Sequence, residues 1–585
     1  MKSLLTILII SYATICTANP VIYINQVGFD SKGPKMAVIG TETLLKTGAT
    51  CKLVDVRSGK TVFTALPGQP QQITEWQPGQ WFYQVDFSAF RAEGRYVLCL
   101  PGQEHSYYSD TFCIKENALA HLTIGSIIQY YHRQRAVTPQ ELAADEQVLL
   151  YNSNTRVDLR GGWCDASGDV SKYFSHLAYA NFMSPQQIPL VTWSMVMADE
   201  AIPGLLHQWG LEDSLENEAL FGADYMMRAL SDKDYFYMIV FSYFNKDPKA
   251  RRVVGLHANS VTTDEYQCAF REGGGMAIAA LARIARWKRH GAFTSQQYLA
   301  GAERAFAHLL AHNTEYDDDH KENIIDDYCA LMAATELWIT TNKALYRDEA
   351  RTRAERLVMR MTKEGYFIAD DHSRPFWHAS DAGLPVIALS RYLQKETDTI
   401  MRTTVQHVIQ QSLDYEINVT NKVNNPFGYA RQTFRYKDTT RDGFFIPHDN
   451  ETGWWWQGEN ARLGSLAAAA VVGGRWVYAN NQGWGVKDTL AAFASRQVSW
   501  ILGCNPYSMC FMYGFGTHNV PYMSSNFGHG SGKGGISNGI TGKDGHGDGS
   551  GIDFKTRAEG NEWRWTEQWL PHAAWFLQAV AAMAQ

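Results

Sequence analysis

The chain changes its hydrophobic period once, near Lys115, and that change divides what it can fold into. Before it, the apolar runs are short and strand-like: Val21-Ile22-Tyr23-Ile24, Lys35 to Ile39, Cys51 to Val56 and Arg95 to Leu100, parted by Gly, Pro, Asn and Asp. Runs of this kind at this turn spacing predict a β-sandwich of about 95 residues. After Lys115, apolar residues recur at helical spacing over long segments, such as Ala277 to Trp287, Asp326 to Ile339 and Ala573 to Ala584. Between them lie long loops rich in Gly, Pro, Trp and Asn, and no fixed-period repeat is visible. At 585 residues the chain exceeds what one core supports. The expectation is a β-sandwich over residues 19–115, then one large helical domain over 116–585 whose inter-helix loops carry the function.

The first 18 residues read as a secretory signal, with Lys2, an apolar run from Leu4 to Tyr12 and small residues ending at Ala18. Cleavage there starts the mature chain at Asn19. Cys16 raises a lipoprotein alternative, against which Ile15 is a poor small-residue match. No later stretch reaches the roughly 20 uninterrupted apolar residues of a membrane span. The eight cysteines after residue 18 are scattered without a CxxC pair, which argues against zinc. Export with so few cysteines suits a bacterial periplasm or cell surface. A formal net charge of −7 and the lack of a Lys/Arg cluster argue against nucleic acid as partner. No pattern specifies an oligomeric state.

The segment from Gly528 to Gly551 is so rich in glycine that it must be a loop. Gly530-Ser531-Gly532-Lys533-Gly534 fails as a phosphate loop, since Gly534 replaces the Ser/Thr and no strand precedes it. Asp544, His546, Asp548 and Gly549 imitate the start of a calcium loop, but Lys555 stands where the closing Glu belongs. The readings are an exposed flexible loop or a structural Ca²⁺ held by Asp544 and Asp548.

The sharpest local feature is Gly161-Gly162-Trp163-Cys164-Asp165-Ala166-Ser167-Gly168-Asp169, followed by Val-Ser-Lys-Tyr. Glycines let a backbone turn tightly and approach a ligand closely. Two carboxylates four residues apart can share one water and orient its lone pair, as a general base requires. Equally, they can form an Asx-type turn capping a helix that starts near Val170. The residues alone leave both readings open.

This stretch resembles the GGW-x-DAGD signature of glycoside hydrolase family 9, with Ser167 as one extra residue inside the motif. Other pieces agree in order along the chain: Asn25-Gln26-Val27-Gly28-Phe29, Gly94-Arg95-Tyr96, Asp326-Asp327 with Ala333-Ala334-Thr335-Glu336-Leu337, and Leu502-Gly503-Cys504-Asn505-Pro506 followed by Gly514-Phe515-Gly516. The resemblance implies an N-terminal immunoglobulin-like β-sandwich followed by an all-α (α/α)6 barrel. It also implies a secreted, inverting hydrolase of β-linked glucan-type chains or a related hemicellulose or amino-sugar chain. Carried over, Asp169 is the base and Asp165 its partner on the same water.

The family's acid is a Glu shortly before a final apolar helix, and Glu562 and Glu567 both compete for that role. Glu562 matches the family's Asn-Glu dipeptide, but Arg564 beside it suggests a solvated charge. Glu567 has the better distance to the last helix, and Trp565, Trp569 and Pro571 around it make a dry wall that favours a protonated carboxyl. Glu567 is therefore the expected acid. Inversion requires a water between base and sugar, so the carboxyls of Asp169 and Glu567 should lie about 6.5–9.5 Å apart.

Aromatic residues make up 13% of the chain, with 18 Trp, and most of them belong to cores. Trp454-Trp455-Trp456 cannot all share one buried face, because consecutive residues point in different directions. Trp455 and Trp456 are therefore expected to stack on sugar rings, together with Trp163 of the motif and Trp377. Glu459, His378 and Asp381 are expected to bind hydroxyls, although bracing of loops is the competing role for each. Tyr429, Arg431 and Arg441 are weaker candidates. The family's His-His-Arg-type sugar-binding motif is absent after Gly514-Phe515-Gly516. His518, in the segment that replaces it, is the candidate substitute. The chemistry requires no cofactor. Two competing functions are a glycan-binding protein that kept the cleft without turnover and a polysaccharide lyase. Lyases need a Tyr/His base and make an unsaturated product absorbing in the ultraviolet, which this enzyme is not expected to make.

Overall fold

The structure, a computed structural model, describes residues 19–76, 79–176, 185–243, 248–257, 261–377, 379–450, 453–454, 457–481, 483–525, 528–557 and 562–585. Nine strands fill the first part: β1 Val21–Tyr23, β2 Gly28–Asp30, β3 Met36–Thr41, β4 Cys51–Asp55, β5 Thr61–Ala65, β6 Trp81–Asp86, β7 Gly94–Pro101, β8 Ser106–Tyr108 and β9 Phe112–Lys115. They form one sheet of order β1-β3-β6 and another of order β2-β9-β7-β4-β5, with β8 on β7. Alternation places Cys51 and Leu53 of β4 inward against Ile22, Ile39, Val85, Leu98 and Phe112. The strand expectations lie within one or two residues of these bounds. The eight cysteines are thiols, none of them in a disulfide.

Beyond α1 (Ala118–Gln134), helices buried nearly all round alternate with helices buried on one face. The fully buried ones are α2 Ile188–Ala201, α4 Gly275–Ile284, α6 Ile324–Thr341, α8 Leu384–Leu393, α10 Asn460–Val477 and α12 Leu570–Ala584. Between them run α3 Glu212–Ala229, α5 Ser295–Tyr316, α7 Ala344–Met359, α9 Thr399–Asn421 and α11 Asp488–Ile501. Each fully buried helix packs on the next, and α12 packs back on α2, so the inner set closes on itself. A helix apolar all round needs neighbours on every side, which this ring supplies.

The acidic residues of α6 follow from the same geometry. Asp326 accepts from Arg271 at 2.8 Å, Asp327 from Arg360 at 2.7 Å, and Glu336 from Arg286 at 2.9 Å and Arg391 at 2.5 Å. Buried carboxylates are tolerable only with such partners, and here the pairs tie adjoining helices together.

The two parts meet through backbone and aromatic contacts. Gln26 N–H donates to the Leu502 carbonyl at 2.9 Å, Trp484 Nε1 donates to Asp30 at 3.1 Å, and Tyr23, Trp76 and Phe82 pack with Phe427. Among the described residues no helix is long and apolar enough to cross a membrane. The second part is not purely helical: Gln432–Tyr436 pairs with Thr439–Gly443 and Asp449–Asn450 with Gly453–Trp454. Short strands at Val148–Leu150, Arg156–Val157, Lys172–Tyr173, Ile239–Phe241, Arg252–His257 and Val261–Thr263 form a small sheet beside the helices. The helix expected near Val170 is instead the strand Lys172–Tyr173, paired with Ile239 and Val240. Backbone pairing to a neighbouring strand overrides the local capping signal there.

Candidate active site

The glycine-rich stretch is a loop pinned on both sides. Cys164 N–H donates to the Gln134 carbonyl at 2.7 Å and Ala136 N–H to the Gly162 carbonyl at 2.9 Å, which tether it to the end of α1. Gly162 has φ +72°, and a Cβ there would meet the Tyr225 ring at 2.9 Å, so both its backbone and its packing demand glycine. Gly168, at φ +98°, turns the chain between Ala166 and Asp169, whose N–H donates back to the Ala166 carbonyl at 3.2 Å.

A buried ionic network lies beneath. Arg251 donates to Asp145 at 2.8 Å, to Glu141 at 3.1 Å and to the Val170 carbonyl at 2.5 Å. Lys172 Nζ donates to Asp145 at 2.7 Å and to the Gly161 carbonyl at 2.9 Å, while His529 Nε2 lies 2.9 Å from Glu141. Two cations face two carboxylates, all fully buried, so the network holds the loop without an uncompensated charge. Glu141, Cys164 and His529 also bring ligand-type atoms together, and Arg251 already occupies that carboxylate.

The segment before α12 crosses this loop antiparallel, with Ala166 opposite Trp569. Trp569 Nε1 donates to both oxygens of Asp165, at 3.1 and 3.0 Å, and Leu570 N–H donates to the Asp165 carbonyl at 3.2 Å. With its amide turned so that nitrogen faces the carboxylate, the orientation that satisfies its neighbours, Gln187 donates to Asp165 and its oxygen accepts from His176 Nδ1 at 3.2 Å. Asp165, Asp169, Glu562 and Glu567 line one cavity of about 650 Å³, with Tyr173, His176, Tyr522, Met523, Trp563 and Trp569. That volume suits a small ligand or a few sugar units.

Burial, and next to it the Asp169 and Glu567 carboxylates, push the proton affinity of Asp165 well above the ordinary range, while Trp569 pulls it down. Burial brings His176 down to about 3, so it is neutral. Asp169 and Glu567 are half-buried at the cavity. Asp169 Oδ1 also accepts from Ser171 N–H at 2.9 Å, so the Asx-type turn is real, although it opens a strand rather than a helix.

Most of the expected sugar-binding residues take other roles. Trp163 is fully buried and its Nε1 donates to Glu218 at 2.7 Å, which makes it core rather than a platform. Trp377 is buried with Ala166, Phe434, Ile446 and Trp569, behind the cavity. Asp381 is buried, accepts from Trp575 at 3.2 Å and is pushed up to about 7 by burial. Glu459 braces a loop by accepting from Tyr429 at 2.9 Å, Arg462 at 2.8 Å and the Ile446 N–H at 2.8 Å. His518 is exposed 3.7 Å from Asp110 and does not line the cavity. His378, Trp455 and Trp456 lie outside the described residues.

Asp544 faces Lys555 at 3.0 Å and Arg564 at 3.3 Å, and Asp548 accepts from Ser550 at 2.6 Å with Arg441 3.8 Å away. Basic side chains thus pair with both of these carboxylates.

Among the residues that line the cavity without having been expected are Trp563, Tyr173, His176, Tyr522 and Met523. The last two belong to the segment that replaces the His-His-Arg motif. The sequence therefore marked the right segment, while His518 drew attention as its only titratable ring nitrogen.

A model described as glycosyl hydrolase family 9 matches residues 122–543, and one described as a cellulase N-terminal ig-like domain matches residues 17–105. The xyloglucan-specific endo-beta-1,4-glucanase BoGH9A of Bacteroides ovatus is 22% identical over an alignment 564 positions long that covers 85% of this chain and 81% of that protein. A metagenome-derived glycoside hydrolase family 9 endoglucanase shares the fold with a TM-score of 0.66 at 17% identity, over 97% of this chain and 99% of that one. The cellulase Cel9M of C. cellulolyticum does so with a TM-score of 0.50 at 17% identity, over 80% of this chain and 98% of that one. With the family model matching well over half of its residues, behind an immunoglobulin-like domain, the chain belongs to glycosyl hydrolase family 9.

Proposed function

We propose that this glycoside hydrolase cleaves β-1,4-linked glucan chains, of the cellulose or xyloglucan type, with inversion at the anomeric carbon. The observation that carries the reading is that Asp165, Asp169 and Glu567 line one cavity although Glu567 comes from the far end of the chain. Asp169 takes a proton from a water that Asp165 also orients. The resulting hydroxide attacks C1 from the face opposite the leaving sugar, and Glu567 gives its proton to the glycosidic oxygen as the C1–O bond breaks. Burial and the carboxylates of Asp169 and Glu567 raise the proton affinity of Asp165, so these groups compete for a proton. The reaction needs it on Glu567. Reducing-sugar release from defined β-1,4-glucan oligosaccharides tests the assignment. Turnover there supports it; turnover confined to other linkages, or binding without turnover, would refute it.

The closed ring of six fully buried helices, each followed or preceded by a one-sided helix, supports reading the second part as an (α/α)6 barrel. The division then falls between Lys115 and Glu116, where the last strand of the β-sandwich ends. The leader-like first 18 residues support export to the periplasm or cell surface. Mass determination of the mature N-terminus checks that, with Asn19 as the expected first residue.

A further inference from the structure

We infer that Ser167, the residue added inside the family-type motif, is a positioning residue that sets the register between the base loop and the acid segment. The inference rests on the roles of Asp169 and Glu567 given above. Ser167 N–H donates to the Gln568 carbonyl at 2.9 Å, and Gln568 N–H donates to Ser167 Oγ at 2.9 Å. One residue thus takes both backbone polar groups of Gln568, the residue directly after Glu567. The same hydroxyl lies 3.5 Å from Met523 Sδ, in the segment that forms the cavity rim. Ser167 is fully buried, so water does not compete for these bonds.

The neighbouring geometry explains why this link matters. Ser167 occupies the turn between Ala166 and Asp169, two residues before the base, and Gln568 directly follows the acid. Gln568 is itself fixed, since its Oε1 accepts from Gly532 N–H at 2.8 Å. A shift of the Ser167–Gln568 pair therefore moves Asp169 and Glu567 relative to each other. Base and acid sit on segments 401 residues apart in sequence that are joined here by two hydrogen bonds. Trp569 and Leu570 fix Asp165 rather than Asp169, whereas Ser167 ties the segment of Asp169 to the residue next to Glu567.

The test compares wild type, Ser167→Ala and Ser167→Thr on cellotetraose, whose leaving group needs the acid, and on an activated dinitrophenyl β-cellobioside, whose leaving group does not. Ser167→Ala should lower kcat on cellotetraose by about tenfold to a hundredfold, as an ångström-scale misplacement does. It should lower kcat on the aryl substrate by no more than about threefold, with KM on both within about twofold, because the acid contributes little when the leaving group is activated. Ser167→Thr keeps the hydroxyl and should recover most of the cellotetraose rate. Equal losses on the two substrates, no loss at all, or a Thr variant as poor as Ala with an unchanged Tm would overturn the inference. Should Ser167→Ala fail to fold, Ser167→Cys carries the same comparison, since its thiol is a weak acceptor of similar size. A wild type inactive on both substrates would count against the proposed function and its base–acid roles, and with them against this inference. An active wild type with no leaving-group split in the variant counts against Ser167 alone.

Discussion

Trp569 Nε1 donates to both carboxylate oxygens of Asp165, joining residues 404 positions apart in the chain. The bond stabilises the ionised carboxylate against burial and against the charges of Asp169 and Glu567, which all favour the proton. The last turn before the final helix is therefore part of the site that the glycine-rich loop begins.

That relationship has a direction in pH. Trp569→Phe removes the donor that lowers the Asp165 proton affinity, so the folded-state value rises further. If activity needs Asp165 ionised to orient the water, the acidic limb of kcat/KM against pH moves to higher pH. A profile that stays in place, or moves to lower pH, refutes a role for ionised Asp165.

Asp169→Asn and Glu567→Gln should each reduce kcat by about 10²- to 10⁴-fold, the usual span for losing a general base or acid. Both side chains are half-buried at the cavity, so thermal stability should hold within a few degrees. Glu562→Gln, the control on the other cavity glutamate, should keep most of the activity. Reversal of these two Glu results moves the acid to Glu562.

Arg251 is buried with Glu141 and Asp145 as its partners. Arg251→Met leaves two buried carboxylates with less compensation and should cost about 3–5 kcal/mol of unfolding free energy in urea titration. An unchanged midpoint would show that the network does not hold the loop.

Trp163→Phe separates core from cleft. Loss of the donor to buried Glu218 should cost about 1–3 kcal/mol of stability and leave KM unchanged. Tyr522→Ala should do the opposite: its ring lines the cavity yet is 59% exposed, so KM should rise while Tm holds. A stacking contribution of about 1 kcal/mol corresponds to roughly a fivefold change. Matching losses of Tm and KM in either variant would contradict the division.

The sequence carried much of the architecture because its signals are local. Alternation in Cys51 to Val56 needs only one neighbouring sheet, and the stretch of Ala573 to Ala584, apolar but for Gln578, reads as an enclosed helix. The motif carboxylates were legible for a related reason, since glycines at 161, 162 and 168 have no role in regular structure. Trp163, Trp377, Asp381 and Glu459 were misread because residue type does not say which way a side chain points. Each is buried against a polar or aromatic partner distant in sequence, such as Glu218 for Trp163 and Trp575 for Asp381. His176 was missed because neutral burial beside Tyr173 leaves no spacing pattern. The link from Ser167 to Gln568 is likewise invisible before folding.

The central claim is that a water activated by Asp169 displaces a sugar whose oxygen Glu567 protonates. Time-resolved NMR of the first product from a β-1,4-linked oligosaccharide reads this directly. The α-anomer should appear first and then mutarotate; a β-anomer formed first would contradict the account.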